Sequence, residues 1–253
     1  MNTAVVLDVD VLFDEGGLVA LDKPAGLAMH GGVGVRDEES LHGALRAAWD
    51  VEPGFAGPSF LGRLDRPTSG LVVAALSRDA LRAVEPGWKS GAVAKEYLAV
   101  VHGALGARGA IDHPLAARRP HQRGSGRIEE ARTEWTRLAG DRRVTLVCCR
   151  LLTGRTHQLR RHWKAAGHPI VGDPRYGHPA RDGDLGTLEA GLMLHAWRLS
   201  HDGSLPLLPR LLEARPPVRM TTLLERLGLG LGAAPESAAG SASRPAARPA
   251  RGR

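Results

Sequence analysis

One acidic side chain lies between two cations in the nonapeptide 62–70, which reads GRLDRPTSG. The acid is Asp65, and the cations on either side of it are Arg63 and Arg66. A carboxylate that is held in a fixed place can act as a nucleophile or as a general base. The alternative is a turn aspartate in a surface ion pair with one of the arginines, which would contribute little to stability.

The residues around this nonapeptide predict that it is held rigidly. Pro67 and Gly70 are turn formers, and the apolar run 71–76 that follows them is typical of a short buried strand. Asp65 therefore lies in a loop that leads into a core strand, where a rigid scaffold can hold a reactive group. Ser77 is the expected N-cap of the next helix, which we expect to end at Pro86.

Apolar stretches separated by turn signals predict the other elements. We expect a hairpin over 4–21 with its turn at 14–17, a tight turn at 23–26 and a helix over 39–49. Further along the chain the patterns predict strands over 95–103, 111–117, 131–138, 143–152 and 192–199, and helices over 155–166 and 216–229. Residues 230–253 have no apolar period and predict a disordered tail.

Length and charge limit the class of protein. A chain of 253 residues can form one sizeable core, or one core with a small appendage. The net charge of +7 indicates a polyanionic partner, most simply nucleic acid. The alternative is that the genome's base composition favours arginine codons, which would give the same net charge without a polyanionic partner. The tail carries +3 of this charge, so the basic character extends to the rest of the chain.

Several kinds of site are not expected from the sequence. Cys148 and Cys149 are neighbours on a predicted strand and point to opposite faces, so we expect no disulfide between them. The chain has no Cys/His spacing typical of zinc and no glycine-rich phosphate loop, and we expect neither a metal nor another cofactor. The sequence shows neither a basic-then-apolar N-terminal signal nor an apolar run long enough to span a bilayer. We therefore expect a cytoplasmic protein without a membrane partner.

A basic segment over 142–172 contains no acidic residue. A helix over 155–166 would place Leu159 and Trp163 on one face. It would place four basic side chains on another face, namely His157, Arg160, Arg161 and Lys164. Like charges on adjacent turns repel one another unless an anion neutralises them. RNA phosphates could do so with release of counterions, and the alternative is a solvated basic face.

The nonapeptide resembles the signature loop of the RluA-type RNA pseudouridine synthases, H-R-L-D-x-x-T-S-G-L, with Gly62 in place of the usual His. Other segments resemble the remaining motifs of that family in their order along the chain. They are LDKPAGLAMH at 21–30, KEYLAVVHG at 95–103, TGRTHQLRRH at 153–162 with GHPIVGD at 167–173, and LMLHAWRL at 192–199. The resemblance extends from about residue 11 to residue 199.

The resemblance implies a fold and an activity. The fold class is α/β (α+β), a pseudouridine synthase catalytic fold with a mixed, largely antiparallel sheet flanked by helices and loops, expected as one domain over 1–229. The activity is isomerisation of a uridine that is flipped out of structured RNA. The uracil N1–C1′ bond breaks and the ring rejoins the sugar through C5, without a cofactor.

By position, the resemblance makes Asp65 the catalytic acid. Tyr97 would pack against the target base, and Arg160 would be the cation that keeps Asp65 ionised. Arg63 would fill the gap that the flipped base leaves. The residues expected to bind RNA are Arg63, Arg66, Arg155, His157, Arg161 and Lys164.

Pro67 and the pair Arg161-His162 resemble the tRNA pseudouridine-65 branch of the family and favour tRNA over 23S rRNA as the substrate. A monomer is expected. Three roles are open to Asp65: attack on the base at C6, attack on C1′, or removal of a sugar proton.

Two other functions are consistent with parts of the sequence. A non-catalytic RNA-binding protein on the same scaffold could use the basic segment and the ring of Tyr97. It would leave unexplained why a carboxylate lies in the most basic loop. Glycosidic hydrolysis would need a second acid near Asp65, for which the motifs offer only Asp22 and Asp173.

Overall fold

The computed structural model describes residues 9–117, 127–187 and 190–231. The chain forms two compact units, of which the first contains residues up to Val93 together with Arg198–Arg215. The second contains Ala94–Trp197 and the described residues 216–231. The start of the predicted N-terminal strand, the basic loop over 118–126 and the predicted tail from 232 onward lie outside the described residues.

The strands of the described residues include three short ones that were not predicted, over 59–60, 128–129 and 211–213, and the others follow the predicted apolar stretches. In chain order the strands are β1 (Asp10–Glu15), β2 (Leu18–Lys23), β3 (Ser59–Phe60), β4 (Ser69–Ala75), β5 (Val93–His102), β6 (Arg108–Asp112), β7 (Leu115–Ala116), β8 (Ile128–Glu129), β9 (Arg132–Gly140), β10 (Val144–Leu151), β11 (Leu194–His201) and β12 (Leu211–Glu213). The stretch predicted as one strand over 111–117 is divided between β6 and β7, because Pro114 has no backbone N–H to donate to a ladder.

The helices are α1 (Leu41–Ala48), α2 (Arg78–Lys89), α3 (Gln158–Ala165), α4 (Pro179–Asp184) and α5 (Val218–Arg226). The predicted N-cap of α2 is confirmed, since the Ser77 hydroxyl accepts a hydrogen bond of 3.1 Å from the Ala80 N–H. None of the helices in the described ranges is long and apolar enough to cross a bilayer.

The predicted end of α2 at Pro86 is wrong, because the helix continues to Lys89. Proline removes one helical hydrogen bond, but the Pro86 carbonyl still accepts a bond of 3.0 Å from the Ser90 N–H. Gly87 also packs so closely on the Ser204 carbonyl that an added Cβ would collide with it. This tertiary contact holds the last turn in place.

The first unit is built on the buried strand β4. Every residue of β4 is buried, and the strand pairs antiparallel with β2 from Leu18↔Ala75 to Lys23↔Gly70. β1 and β2 form the predicted hairpin, closed at Glu15↔Leu18. The core of this unit combines these strands with the later segment that contains β12.

The second unit is an antiparallel sheet in the order β5-β10-β9-β6, covered by α3 and α5. Trp163 of α3 and Met220 of α5 are fully buried in its core. Cys148 and Cys149 are buried in β10 as free thiols. β11 passes from this unit into the first unit, where it pairs antiparallel with β12. The expected fold class, a largely antiparallel sheet flanked by helices and loops, is confirmed.

Candidate active site

Asp65 lies half-buried in the segment 62–70, which we call the Asp65 loop. The Asp65 carbonyl accepts a hydrogen bond of 3.0 Å from the Thr68 N–H, which closes a turn directly before β4. Leu64 and Thr68 are buried on either side of the acid. The loop is therefore fixed to the core at both sides of Asp65, as the turn formers and the apolar run predicted.

A buried lysine ties the Asp65 loop to the turn over 23–27. Lys23 is 0% exposed, and its Nζ donates hydrogen bonds to the carbonyls of Pro24 (2.9 Å), Leu27 (2.9 Å) and Arg66 (3.3 Å). These three acceptors match the three donors of an ammonium group. Sequence reasoning predicted this turn but missed the role of Lys23.

Backbone contacts reinforce the same connection. The Gly26 N–H donates to the Arg66 carbonyl at 2.8 Å, and the Arg66 Nε donates in return to the Gly26 carbonyl at 2.8 Å. Arg66 therefore has a structural role in addition to the expected contact with RNA. Arg63 is exposed and has no hydrogen-bond or ion-pair partner in the described part of the chain.

The second unit holds Arg160 in a buried ion pair with Asp173. The Nε and Nη2 of Arg160 donate to the two carboxylate oxygens of Asp173, both at 2.8 Å, and the residues are only 3% and 5% exposed. Burial alone would raise the pKa of Asp173. The hydrogen bonds from Arg160 and from the backbone of Arg175 and Tyr176 outweigh burial and hold this pKa below its usual 3.8.

This pair corrects the predicted basic face of α3. Arg160 lies on the packed side of the helix with Leu159 and Trp163, whereas Lys164 is exposed. The basic segment 142–172 contains no acid of its own, but acids from outside it neutralise some of its charges. Arg155, for example, forms an ion pair with Glu129 at 3.0 Å. Helical spacing therefore placed Arg160 on the wrong face, because it could not reveal a partner such as Asp173 outside the helix.

His157 is not part of a helical face, because its backbone is left-handed (φ 52°) and α3 begins only at the next residue. Its Nδ1 is hydrogen-bonded to the Tyr176 hydroxyl at 3.1 Å. The Arg160 guanidinium lies over the Tyr176 ring, 5.1 Å from the centroid. Asp173 and Tyr176 thus organise this part of the unit. The motif at 167–173 was the signal for Asp173, and Tyr176 lies three residues beyond it.

The other predicted residues of this unit have different surroundings. Arg155 and Arg161 line one cavity of about 250 Å³ together with Leu115 and Ala116 of β7. Tyr97 is half-buried in β5, opposite Cys149 of β10. In the described ranges, no three His, Cys, Asp or Glu side chains come together as metal ligands would.

The fold and these motifs define a class of protein that acts on RNA. A family model described as RNA pseudouridylate synthase matches residues 17–165, more than half of the chain. The chain therefore belongs to the RNA pseudouridine synthases, and the RluA-type assignment made from the motifs is confirmed. The enzyme class that follows from this family is that of an isomerase.

Individual relatives support the same assignment. The chain is 34% identical to ribosomal large subunit pseudouridine synthase D of Nitrosomonas europaea over 236 residues, which are 89% of this chain and 67% of the relative. It is 34% identical to ribosomal large subunit pseudouridine synthase C of Escherichia coli K12 over 217 residues, 80% of this chain and 65% of the relative. The chain thus spans about two thirds of the length of both relatives.

Two solved structures have the same fold over most of their length. Human RNA pseudouridylate synthase domain containing 4 aligns with a TM-score of 0.69 at 25% identity, over 87% of this chain and 93% of that one. Human RNA pseudouridylate synthase domain containing 1 aligns with a TM-score of 0.67 at 26% identity, over 88% of this chain and 89% of that one.

Proposed function

We propose that this protein converts a uridine in structured RNA to pseudouridine, with Asp65 as the catalytic carboxylate. The observation that carries the proposal is the fixed Asp65 loop, which Lys23 and Gly26 join to a second turn directly before the buried strand β4. In the reaction C1′ moves from N1 to C5 of the uracil, C5 loses a proton and N1 gains one. The reaction consumes no second substrate, so a well-positioned acid or base has the largest part in it.

Arg160 and Tyr97 complete the proposed catalytic set. The family resemblance assigns Arg160 as the cation that keeps Asp65 ionised. Its guanidinium is oriented within its own unit by both oxygens of Asp173, which supports a role as a fixed cation rather than a mobile one. Tyr97 offers a flat ring for the flipped base and a hydroxyl for proton transfer.

RNA binding is proposed for Arg63, Arg155, Arg161 and Lys164. Arg63 has no acidic partner among the described residues, and Lys164 is exposed near the end of α3. Arg155 and Arg161 line the same cavity, although Arg155 also contacts Glu129. Phosphate contacts of this kind position an RNA without reading its sequence. Arg66 and His157 have intramolecular partners and would add to this surface only in part.

The RNA substrate has two candidates. Pro67 and the pair Arg161-His162 favour tRNA, as the sequence predicted. The names of the relatives in Nitrosomonas europaea and Escherichia coli favour rRNA of the large ribosomal subunit. Either RNA is consistent with a monomer that acts in the cytoplasm.

The test is to map pseudouridines in tRNA and 23S rRNA from a strain that lacks the gene. Carbodiimide labelling followed by primer extension detects each site. One site should disappear, return with the wild-type gene, and stay absent with Asp65→Asn. Asp79→Asn is the matched control, because Asp79 is an exposed carboxylate of α2 with a side chain that is 94% accessible.

Each other outcome has a defined meaning. Full restoration of the site by Asp65→Asn would show that Asp65 is not the catalytic acid. A site in tRNA would support the prediction from Pro67, and a site in 23S rRNA would contradict it. If no site changed in either RNA, the non-catalytic RNA-binding function would become the better explanation.

A further inference from the structure

The cavity of about 250 Å³ in the second unit is lined by charges of both signs. Arg155 lies just before α3 and Arg161 lies within it, whereas Glu129 lines the cavity from β8. Glu129 Oε2 is 3.0 Å from Nη1 of Arg155. This carboxylate therefore competes for Arg155 with the phosphates of RNA that the proposed function assigns to it.

Arg155 is held in place by contacts that do not involve Glu129. Its Nε donates a hydrogen bond of 3.0 Å to the Glu130 carbonyl, and its backbone N–H donates one of 3.0 Å to Gln158 Oε1. Gln158 is only 3% exposed, and the same oxygen accepts a bond of 2.8 Å from the Thr153 hydroxyl. The guanidinium is therefore preorganised for an anion and keeps its position if Glu129 leaves.

Glu129 is held less firmly than Arg155. β8 has only two residues and pairs with β7 alone in the described ranges. The side chains of Glu129 and Arg155 are 34% and 37% exposed, and ion pairs with this exposure contribute little to stability. A phosphate can replace the carboxylate at small cost, because its oxygens accept the same charge-assisted hydrogen bonds from arginine.

Arg161 provides a second cation in the same cavity. Its Nη1 donates a hydrogen bond of 3.4 Å to the carbonyl of Thr156, which also lines the cavity. Two guanidinium groups against one carboxylate leave the lining of the cavity with a net positive charge, even while Glu129 is in place. The charge rises further when the carboxylate leaves, which favours an anionic ligand.

We propose that this cavity binds one backbone phosphate of RNA, and that Glu129 takes the place of the phosphate in the free protein. RNA must then displace Glu129 from Arg155, which lowers its affinity. An RNA with few other contacts is rejected by this loss, whereas a substrate that is also held elsewhere stays bound. Glu129 is thus a specificity-determining residue, and the inference rests on the proposed function in that RNA is the ligand.

Binding without turnover tests the proposal. The full-length protein is titrated into a fluorescein-labelled, uridine-rich RNA hairpin, and the affinity is read from anisotropy. Glu129→Gln should tighten binding about three- to fivefold, because an exposed ion pair no longer has to be broken. Glu134→Gln is the matched control, since it removes the same charge from a β9 carboxylate that lies 3.5 Å from Arg132 and does not line the cavity. It should change the affinity by less than about twofold.

A second background shows whether Glu129 acts through Arg155. Arg155→Gln should weaken binding and reduce the slope of affinity against salt by about one ion. Adding Glu129→Gln to this variant should then give no gain in affinity. If Arg155→Gln does not fold, the comparison of Glu129→Gln with Glu134→Gln still decides.

Four results would overturn the proposal: unchanged or weaker binding by Glu129→Gln, an equal gain from Glu134→Gln, a full gain in the absence of Arg155, or a wild-type protein that does not bind the hairpin. Mapping of pseudouridine separates this inference from the proposed function. An inactive protein with the expected affinities would refute the proposed function and leave the phosphate site standing. An active protein without these differences in affinity would refute the phosphate site alone.

Discussion

Replacing Lys23 by methionine tests whether the buried ammonium holds the Asp65 loop. Methionine has a similar length and an apolar end, but it cannot donate a hydrogen bond. The substitution leaves the carbonyls of Pro24 and Leu27 without the lysine donor, while the Arg66 carbonyl keeps the Gly26 N–H at 2.8 Å. The substitution therefore removes the side-chain part of the connection between the two loops.

The expected loss follows from the two acceptors that lose this donor. A buried polar group that becomes unsatisfied costs about 1–3 kcal/mol, which gives about 2–6 kcal/mol for the pair. Removal of a buried charge returns part of its desolvation cost. We therefore expect the lower end of this range, a loss of about 2–3 kcal/mol in the free energy of unfolding.

Urea denaturation of the wild type and Lys23→Met at neutral pH measures this loss. Lys89→Met is the matched control, because Lys89 is exposed at the end of α2 and forms a surface ion pair with Glu85 (2.7 Å). Its stability should change by less than about 0.5 kcal/mol. If Lys23→Met were as stable as this control, the three hydrogen bonds of the ammonium would not hold the loop.

Further predictions concern buried polar groups and close contacts. Asp173→Asn should cost about 3–5 kcal/mol at pH 7. The folded pKa of Asp173 lies below 3.8, so the ionised side chain stabilises the fold fully above pH 3.8 and loses this effect as the pH falls below the folded pKa. Because Asp173→Asn lacks this ionisation, its urea midpoint should vary less with pH in that acidic range than the wild-type midpoint does. Thr68→Val should leave the melting temperature unchanged or raise it, since the buried Thr68 hydroxyl has no partner among the described residues; a clear decrease would contradict this. Gly87→Ala should lower the melting temperature through the clash with Ser204, whereas helix propensity alone would raise it.

Local patterns were sufficient for the elements whose causes are local. The hairpin of β1 and β2, the buried strand β4 and the N-cap at Ser77 all follow from residues that are close in sequence. The end of α2 at Pro86 was predicted wrongly because the contact that holds its last turn comes from Ser204, more than a hundred residues away. Propensity contains no information about such a contact.

In the candidate site, too, local sequence predicted some features and could not predict others. The motif at 62–70 identified the loop of Asp65, but the partners that fix a side chain cannot be read from spacing. Lys23 binds backbone carbonyls, which every sequence contains. Its one visible signal was a lysine directly after Asp22, at the end of the strand β2. Helical spacing placed Arg160 on the basic face of α3, because the spacing contains no information about its partner Asp173, thirteen residues further on.

The path of the chain also has a consequence for biosynthesis. The core of the first unit includes Leu199, Leu205 and Leu212, which are made only after the whole of Ala94–Trp197. At about 5–20 residues per second, the N-terminal segment waits on the order of ten seconds for the last part of its core. During that time β4 and its neighbours expose apolar surface that chaperones recognise. A fragment that ends at Val93 should accordingly fail to fold, because part of its core comes from Arg198–Arg215, more than a hundred residues further along the chain.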